Sequence, residues 1–459
     1  MSPFQPSDPR PVHFVGIAGA GMSALAELLA RRGVRVTGCD ANAIGVGDLE
    51  ALGVEVAQGH DPSHAEGSSA LVVTSAMPRD HPELARARAL GVPVIRRAEA
   101  LAEAVSVGDV IGIAGTHGKT TTTVMTTDAL AAVGKDPTGI AGGRVARWSG
   151  NLRHGSDRLF VVEADEYDRS FLALSPTVAV VTNVEADHLD IYADLSDIRG
   201  AFRDFVRSAR TVVLCADDAG ARSLSLHGGA EVIRYGIESP DARLVAGDIR
   251  VRDGGCSFGV LYDGERVAEV ALKVPGRHNV LNALAAIGSG VSLGAAPDAL
   301  ARGLADFCGV ERRFQRVGER GGILVVDDYA HHPTEIRATL DAARSAFPGR
   351  RLLAAFQPHL YSRTRDFARE FGGALAAADE VFLTEIYPAR EQPIPGVTAS
   401  LIERALLDAG GTLAWRGNRP ELAESLAAAA RAGDVVLTLG AGDITRTGPE
   451  LLARLPESA

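Results

Sequence analysis

Gly115-Thr116-His117-Gly118-Lys119-Thr120 lies between an apolar run and a Thr-rich stretch, and such a segment can hold a phosphate chain. Successive backbone N–H groups of a glycine turn form an anion-binding nest. A helix that starts at its end adds a positive dipole terminus. Lys119 would reach the β- and γ-phosphates, and the Thr120 hydroxyl would face magnesium. Gly115, Thr116, Gly118, Lys119, Thr120 and Thr121 are the candidate nucleotide contacts. The spacing departs from GxxxxGK[ST], because position 113 is Ile rather than Gly. The competing reading is a plain turn between a strand and a helix. The chain has only three lysines, Lys119, Lys135 and Lys273, so one inside a glycine loop stands out.

Two further segments deliver acids and a histidine to strand ends. Leu159-Phe160-Val161-Val162 runs into Glu163, and a later apolar run reaches Asn183-Val184-Glu185-Ala186-Asp187-His188. In an open α/β sheet, ligands gather at the carboxyl ends of strands. Glu163 there can hold magnesium directly or through water, and His188 is a second metal-ligand candidate. Each alone is more often a surface acid or a cap; both following one phosphate loop point to a two-metal ATP site.

Near the N-terminus, Gly16, Ala18 and Gly21 nearly fit GxGxxG, with Asp40 about 20 residues on. That pattern suits a dinucleotide, with Asp40 on a ribose hydroxyl, and equally any nucleotide diphosphate. Asp327-Asp328-Tyr329-Ala330-His331-His332-Pro333 has two readings, a metal cluster or a strand end leading into a helix with Pro333 at its first position. Gln357-Pro358-His359 with Arg363, and Gly440-Ala441-Gly442-Asp443, read as further strand-end loops.

The elements that must position these groups alternate between strand and helix. Strands are expected at 13–17, 34–39, 70–75 and 92–95, with a helix over 23–32. They follow at 110–114, 159–162, 177–181 and 212–214, then at 323–326, 351–356, 380–384 and 434–439. A helix is expected at 278–289. Such alternation means parallel sheets with helices on both faces. Between 243 and 274 shorter runs with Gly-rich turns read as antiparallel β. Three α/β domains are expected, at 1–107, 108–316 and 317–459.

Composition narrows the classes. The chain of 459 residues is 46% hydrophobic and 23% charged, ordinary for a globular enzyme with a sizeable core. A net charge of −11 without a basic run argues against nucleic acid as a partner. Four scattered cysteines without a CxxC pair suggest neither a zinc ribbon nor a disulfide framework, and fit a reduced, cytoplasmic setting. No apolar run approaches the 18 or more residues of a membrane span, and residues 1–11 have no apolar signal core.

Together the motifs resemble the Mur ligase family, and within it the branch that adds L-alanine. The likeness runs from His13 to Ile444. It is carried by residues 13–23, 115–122, 163–166, 183–188, 275–282, 312–314, 327–333 and 356–364. The resemblance implies an N-terminal Rossmann-like UDP-binding domain, a central P-loop ATPase domain and a C-terminal Rossmann-like domain that binds the amino acid. It implies that ATP phosphorylates the lactyl carboxylate of UDP-N-acetylmuramate, and that L-alanine attacks the acyl phosphate. Carried over, Lys119, Glu163, His188 and Arg313 are the catalytic set, with Thr120, Glu163 and His188 on Mg2+. His278, Asn279, Asn282 and Asp328 would contact ATP. Gly19, Gly21, Met22, Ser23, Asp40 and Ser75 would contact the UDP-sugar, and His331, His359 and Arg363 the amino acid.

Two departures accompany the likeness. Ala18 replaces a frequent glycine, and Leu360 stands where many relatives carry an arginine beside His359. The carbamylated lysine of several other family branches has no counterpart, since no lysine lies between Lys135 and Lys273. That absence agrees with the alanine-adding branch. The alternatives are a recycling ligase that joins a preformed peptide to UDP-N-acetylmuramate and, from another class, a nicotinamide-dependent dehydrogenase. The latter would have no use for Lys119.

Overall fold

Short apolar strands with buried side chains on both faces build three sheets. The computed structural model describes residues 3–74, 77–252, 254–389 and 391–457. The first sheet is parallel, in the order Glu55–Gln58, Val36–Asp40, Val12–Val15, Ala70–Val73, Val94–Arg96. Successive residues of a strand point to opposite faces. Val12 and Phe14 therefore join the core of the Ala20–Arg31 helix, while Val15, Leu71 and Val73 pack with Leu84 and Ala87 of the Pro82–Leu90 helix.

The second sheet has ten strands. Its parallel centre runs Glu231–Gly236, Thr211–Cys215, Val178–Val181, Asp109–Ala114, Ser156–Glu163, Pro137–Val145. Gly150–Arg153 pairs antiparallel at one edge. At the other edge stand Leu244–Arg252, Gly255–Tyr262 and Glu265–Leu272. Asp263 and Gly264, at φ 50° and 85°, make the last connection a two-residue turn whose twist suits a hairpin. The antiparallel expectation for 243–274 is met there, although Leu244–Arg252 itself pairs parallel with Glu231–Gly236.

The third sheet runs Gln315–Arg320, Ile323–Asp328, Val435–Leu439, Leu352–Phe356, Glu380–Thr384, Leu413–Gly417. Only its first pair is antiparallel. Apolar clusters cover both faces.

Three sheets match the expected three-domain α/β class, but the chain divides into two compact units. One comprises Met1–Gly247, Gly259–Val270 and Leu281–Ala305; the other comprises Asp248–Phe258, Ala271–Val280 and Asp306–Ala459. The physical reason lies in the first unit. A single apolar cluster runs from Val12 and Phe14 through Ile140 and Leu152 to Leu224, so the first two sheets share a core. Among the described residues, no helix is long and apolar enough to cross a membrane.

Candidate functional site

The phosphate-loop candidate sits where a strand hands over to a helix. Asp109–Ala114 ends in the loop, and the Lys119–Ala132 helix begins at its far end. Gly115 and Gly118 take φ values of 144° and 80°, a region L side chains rarely enter. A Cβ on Gly115 would collide with the Thr182 hydroxyl, and one on Gly118 would lie 2.7 Å from Asn282 Oδ1. The loop is tied down from the neighbouring strand end: His117 N donates to Asn183 Oδ1 at 2.7 Å, and Thr182 Oγ1 donates to the His117 carbonyl at 2.6 Å.

At this helix start the structure brings Lys119, Thr120 and Glu163 together. Thr120 Oγ1 donates to Glu163 Oε1 at 3.0 Å, and the backbone N–H of Gly142 donates to Glu163 Oε2 at 2.5 Å. Burial raises the Glu163 pKa, opposed by the Gly142 hydrogen bond and the Lys119 charge. Lys119 Nζ donates to the carbonyls of Gly115 and Thr116 and to Glu166 Oε2, the last at 2.7 Å. Burial works to lower the Lys119 pKa, but Glu166, Asp165 and Glu163 outweigh it and hold it above the usual lysine value. Burial pushes Glu166 up to about 7 against the pull of Lys119.

His188 adopts φ 53°, uncommon for a residue with a side chain. Its Nε2 lies 3.7 Å from Glu166 Oε1, so its nearest carboxylates are Glu166 and Asp187 rather than Glu163. Thr121 is buried in the first turn of the helix. Asn282 belongs to the same unit and accepts from Thr122 Oγ1 at 3.1 Å. Sequence reasoning passed over Glu166 although it stands three residues from Glu163. In irregular backbone no period says where a side chain points.

The first glycine loop closes on Asp40. Asp40 Oδ2 accepts from Ala18 N at 3.0 Å, and Oδ1 accepts from Asn42 N at 2.9 Å. Asp40 was expected on a ribose; here it fixes the loop, with lone pairs still to spare. Gly19 precedes the Ala20–Arg31 helix, and Gly21 faces Arg97. Met22 is buried in the core. Ser23 lines a cleft of about 440 Å³ with Ala18, Ala20, Asp48, Arg144 and Asn151. That volume suits a small-molecule ligand. Asn151 Nδ2 donates to the Ala20 carbonyl at 3.1 Å and reaches Ser23 Oγ at 3.4 Å. Arg144 and Asn151 carried no sequence signal, because they arrive from an edge hairpin more than 100 residues away. Ser75 lies outside the described residues.

In the second unit, the two readings of residues 327–333 resolve in favour of a capped helix. His332 caps the Pro333–Ala346 helix, with Glu335 accepting back from the His332 N–H. Asp327 accepts from the hydroxyls of Thr438 and Thr445. Asp328 accepts from the N–H groups of Phe314 and Ala330, both at 2.8 Å, and burial pushes its pKa up to about 6. Arg313 lies over the Tyr329 ring and 3.3 Å from Glu335 Oε1. Burial lowers the His278 pKa to about 4, and Asn279 Nδ2 donates to the Pro275 carbonyl at 2.7 Å. The His331 and His359 rings are 6.1 Å apart, His359 stacks on Tyr387, and Arg363 is buried. Leu360, in the place of the missing arginine, has φ 72° and precedes the Tyr361–Leu375 helix.

Comparison with known proteins agrees along the whole chain. The Mur ligase family catalytic domain matches residues 11–107, the Mur ligase middle domain 113–290, and the Mur ligase glutamate ligase domain 312–442. The UDP-N-acetylmuramate–L-alanine ligase of Burkholderia cenocepacia is 45% identical, with 98% of each chain covered. Among solved structures, the UDP-N-acetylmuramate–alanine ligase of Thermotoga maritima is 31% identical with a TM-score of 0.82, covering 97% of this chain and 98% of the other. A murein peptide ligase from Psychrobacter arcticus is 26% identical with a TM-score of 0.72, over 97% and 98%.

Proposed function

The chain belongs to the Mur ligase family, and we propose that it joins L-alanine to the lactyl carboxylate of UDP-N-acetylmuramate, with ATP, in peptidoglycan precursor synthesis. The observation that carries the ATP chemistry is the meeting of Lys119, Thr120 and Glu163 at one helix N-terminus.

A carboxylate is a poor electrophile because its oxygen does not leave. Transfer of the terminal phosphoryl group of ATP breaks its bond to ADP and forms an acyl phosphate. The alanine amine then attacks the carbonyl carbon. The tetrahedral intermediate expels phosphate, and the amine proton passes to solvent. The first step joins two anions, so positive charge must stand ready before reaction. Lys119 and the loop N–H groups bind and orient the phosphates, and Arg313 neutralises charge on the group in transit. Thr120 and Glu163 are hard oxygen donors in hydrogen-bond contact at the end of the loop, so the pair fits Mg2+. When bound, the ion would offset charge on the phosphoryl oxygens. His188 is its third ligand in this reading.

The cleft beside Ser23, Arg144 and Asn151 takes the UDP-sugar, and His331, His359 and Arg363 serve the amino acid. ATP and a UDP-sugar as substrates go with a cytoplasmic setting. Greater likeness to the alanine ligase than to the murein peptide ligase favours alanine as acceptor.

The experiment is phosphate release from ATP, Mg2+ and UDP-N-acetylmuramate, with L-alanine or the recycled tripeptide added in parallel. Release dependent on L-alanine is expected. Release with the tripeptide alone would overturn the assignment in favour of the recycling reaction.

A further inference from the structure

A buried group of ligand-type side chains in the first sheet takes no part in this chemistry. His13 Nε2 is 3.4 Å from Cys39 Sγ, Cys39 Sγ is 3.2 Å from Glu83 Oε1, and that oxygen is 2.9 Å from His64 Nδ1. One ligand atom from each of the four lies within 4.8 Å of all the others. We infer that His13, Cys39, His64 and Glu83 form a structural site for a borderline-soft divalent cation, of which zinc is the best match.

The geometry fits before any ion arrives. Zinc bonds of about 2.0–2.3 Å in a tetrahedron put ligand atoms roughly 3.3–3.8 Å apart. Three of the contacts, at 2.9 to 3.4 Å, lie at or just below those spacings, and the remaining pairs lie within 4.8 Å. Four protein ligands make a closed site, the structural rather than catalytic kind. The charges also balance. A thiolate and a carboxylate carry two negative charges, the two imidazoles none, and a divalent cation makes the buried group neutral. On binding, the Cys39 thiol proton passes to solvent.

The supporting shell is in place too. His13 Nδ1 lies 2.9 Å from Thr37 Oγ1, which turns Nε2 toward the sulfur. The backbone N–H of Asp61 donates to Glu83 Oε1 at 3.0 Å. The one weak S–H donor of Cys39 is surrounded by His13 Nε2, His60 Nδ1 and both Glu83 oxygens within 3.5 Å. His81 Nδ1 is buried beside the cluster without a hydrogen-bond partner among the described residues.

The four ligands come from four elements: Val12–Val15, Val36–Asp40, the Pro62–Ala65 turn and the Pro82–Leu90 helix. The Cys39 carbonyl accepts from Gly16 N and Ile17 N, and the next residue, Asp40, holds Ala18 N. A metal on Cys39 would therefore brace the first glycine loop from behind.

Full-length protein, stripped with a chelator and titrated with cobalt(II), tests this. One equivalent should bind with thiolate-to-cobalt charge-transfer absorption, and one equivalent of zinc should displace it. Cys39→Ser should lose the absorption, and His64→Gln, at a part-exposed position, should weaken zinc at least about tenfold. Absence of charge-transfer in the wild type would overturn the site. So would its persistence in Cys39→Ser, which would put the metal on Cys215, Cys256 or Cys308. If Cys39→Ser does not fold, zinc affinity of His64→Gln decides alone: a wild-type value rejects the site.

Discussion

Lys119 Nζ stands 2.7 Å from Glu166 Oε2, a buried ion pair closed over the loop that carries the lysine. Tyr192 stiffens the same corner, its hydroxyl donating to the Glu166 carbonyl at 2.7 Å. The pair sets the lysine at the start of the Lys119–Ala132 helix, over the loop carbonyls it also contacts, and makes Glu166 a residue that holds this ammonium in register.

Lys119→Ala is expected to abolish phosphate release while UDP-sugar binding, read by calorimetry, persists. Its stability loss should fall short of the about 3–5 kcal/mol typical for breaking a buried pair. Glu166, with a pKa near 7, can take a proton and bury a neutral acid instead. Retained ligation would remove Lys119 from the chemistry.

Arg313→Ala should lower kcat by about a hundredfold or more, as for arginines that neutralise a transferring phosphoryl group. Its ion pair with Glu335 is part-exposed, so the stability cost should stay near ~1 kcal/mol. Steady-state kinetics beside a thermal melt separates the two effects, and a near-wild-type kcat would exclude the role.

Asn151→Ala should raise KM for the UDP-sugar by roughly fivefold, equivalent to about 1 kcal/mol, with kcat little changed. The side chain pins the Ala20–Ser23 turn at the cleft wall, so its loss should act on the sugar nucleotide rather than on the phosphate loop. An unchanged KM would show that the cleft does not bind that substrate.

Asp328 gives a pH dependence with a definite sign. Its folded pKa is about 6 against an ordinary 3.8, so the folded chain binds a proton that the unfolded chain has already lost. The associated stability is fully present below about pH 3.8 and disappears as pH rises through about 6, amounting to about 3 kcal/mol at most. Asp328→Asn should flatten the melting temperature between about pH 4 and 6 relative to wild type. It should also lower the acid end of the curve, where wild-type Asp328 is neutral, because the amide offers one acceptor oxygen to two backbone N–H groups. An unaltered slope would mean that Asp328 ionises normally.

Much of this was written locally in the sequence. The strand–loop–helix at 109–132, the Glu163 strand end and the Pro333 helix start follow from apolar runs, glycines at positive φ and the fixed φ of proline, all acting within a few residues. Even the Glu380–Thr384 strand falls where its apolar run predicts. Tertiary structure alone decided the rest, since it depends on which strands become neighbours. The Ser156–Glu163 strand, placed between Asp109–Ala114 and Pro137–Val145, lets Glu163 meet Thr120 and the Gly142 N–H at once. Packing of the first two sheets around one core carried Asn151 to the first glycine loop. His13, Cys39, His64 and Glu83, spread over some seventy positions, form one cluster because four elements close on the same face. No local pattern encodes such a meeting; it comes from the burial of side chains distant in the chain.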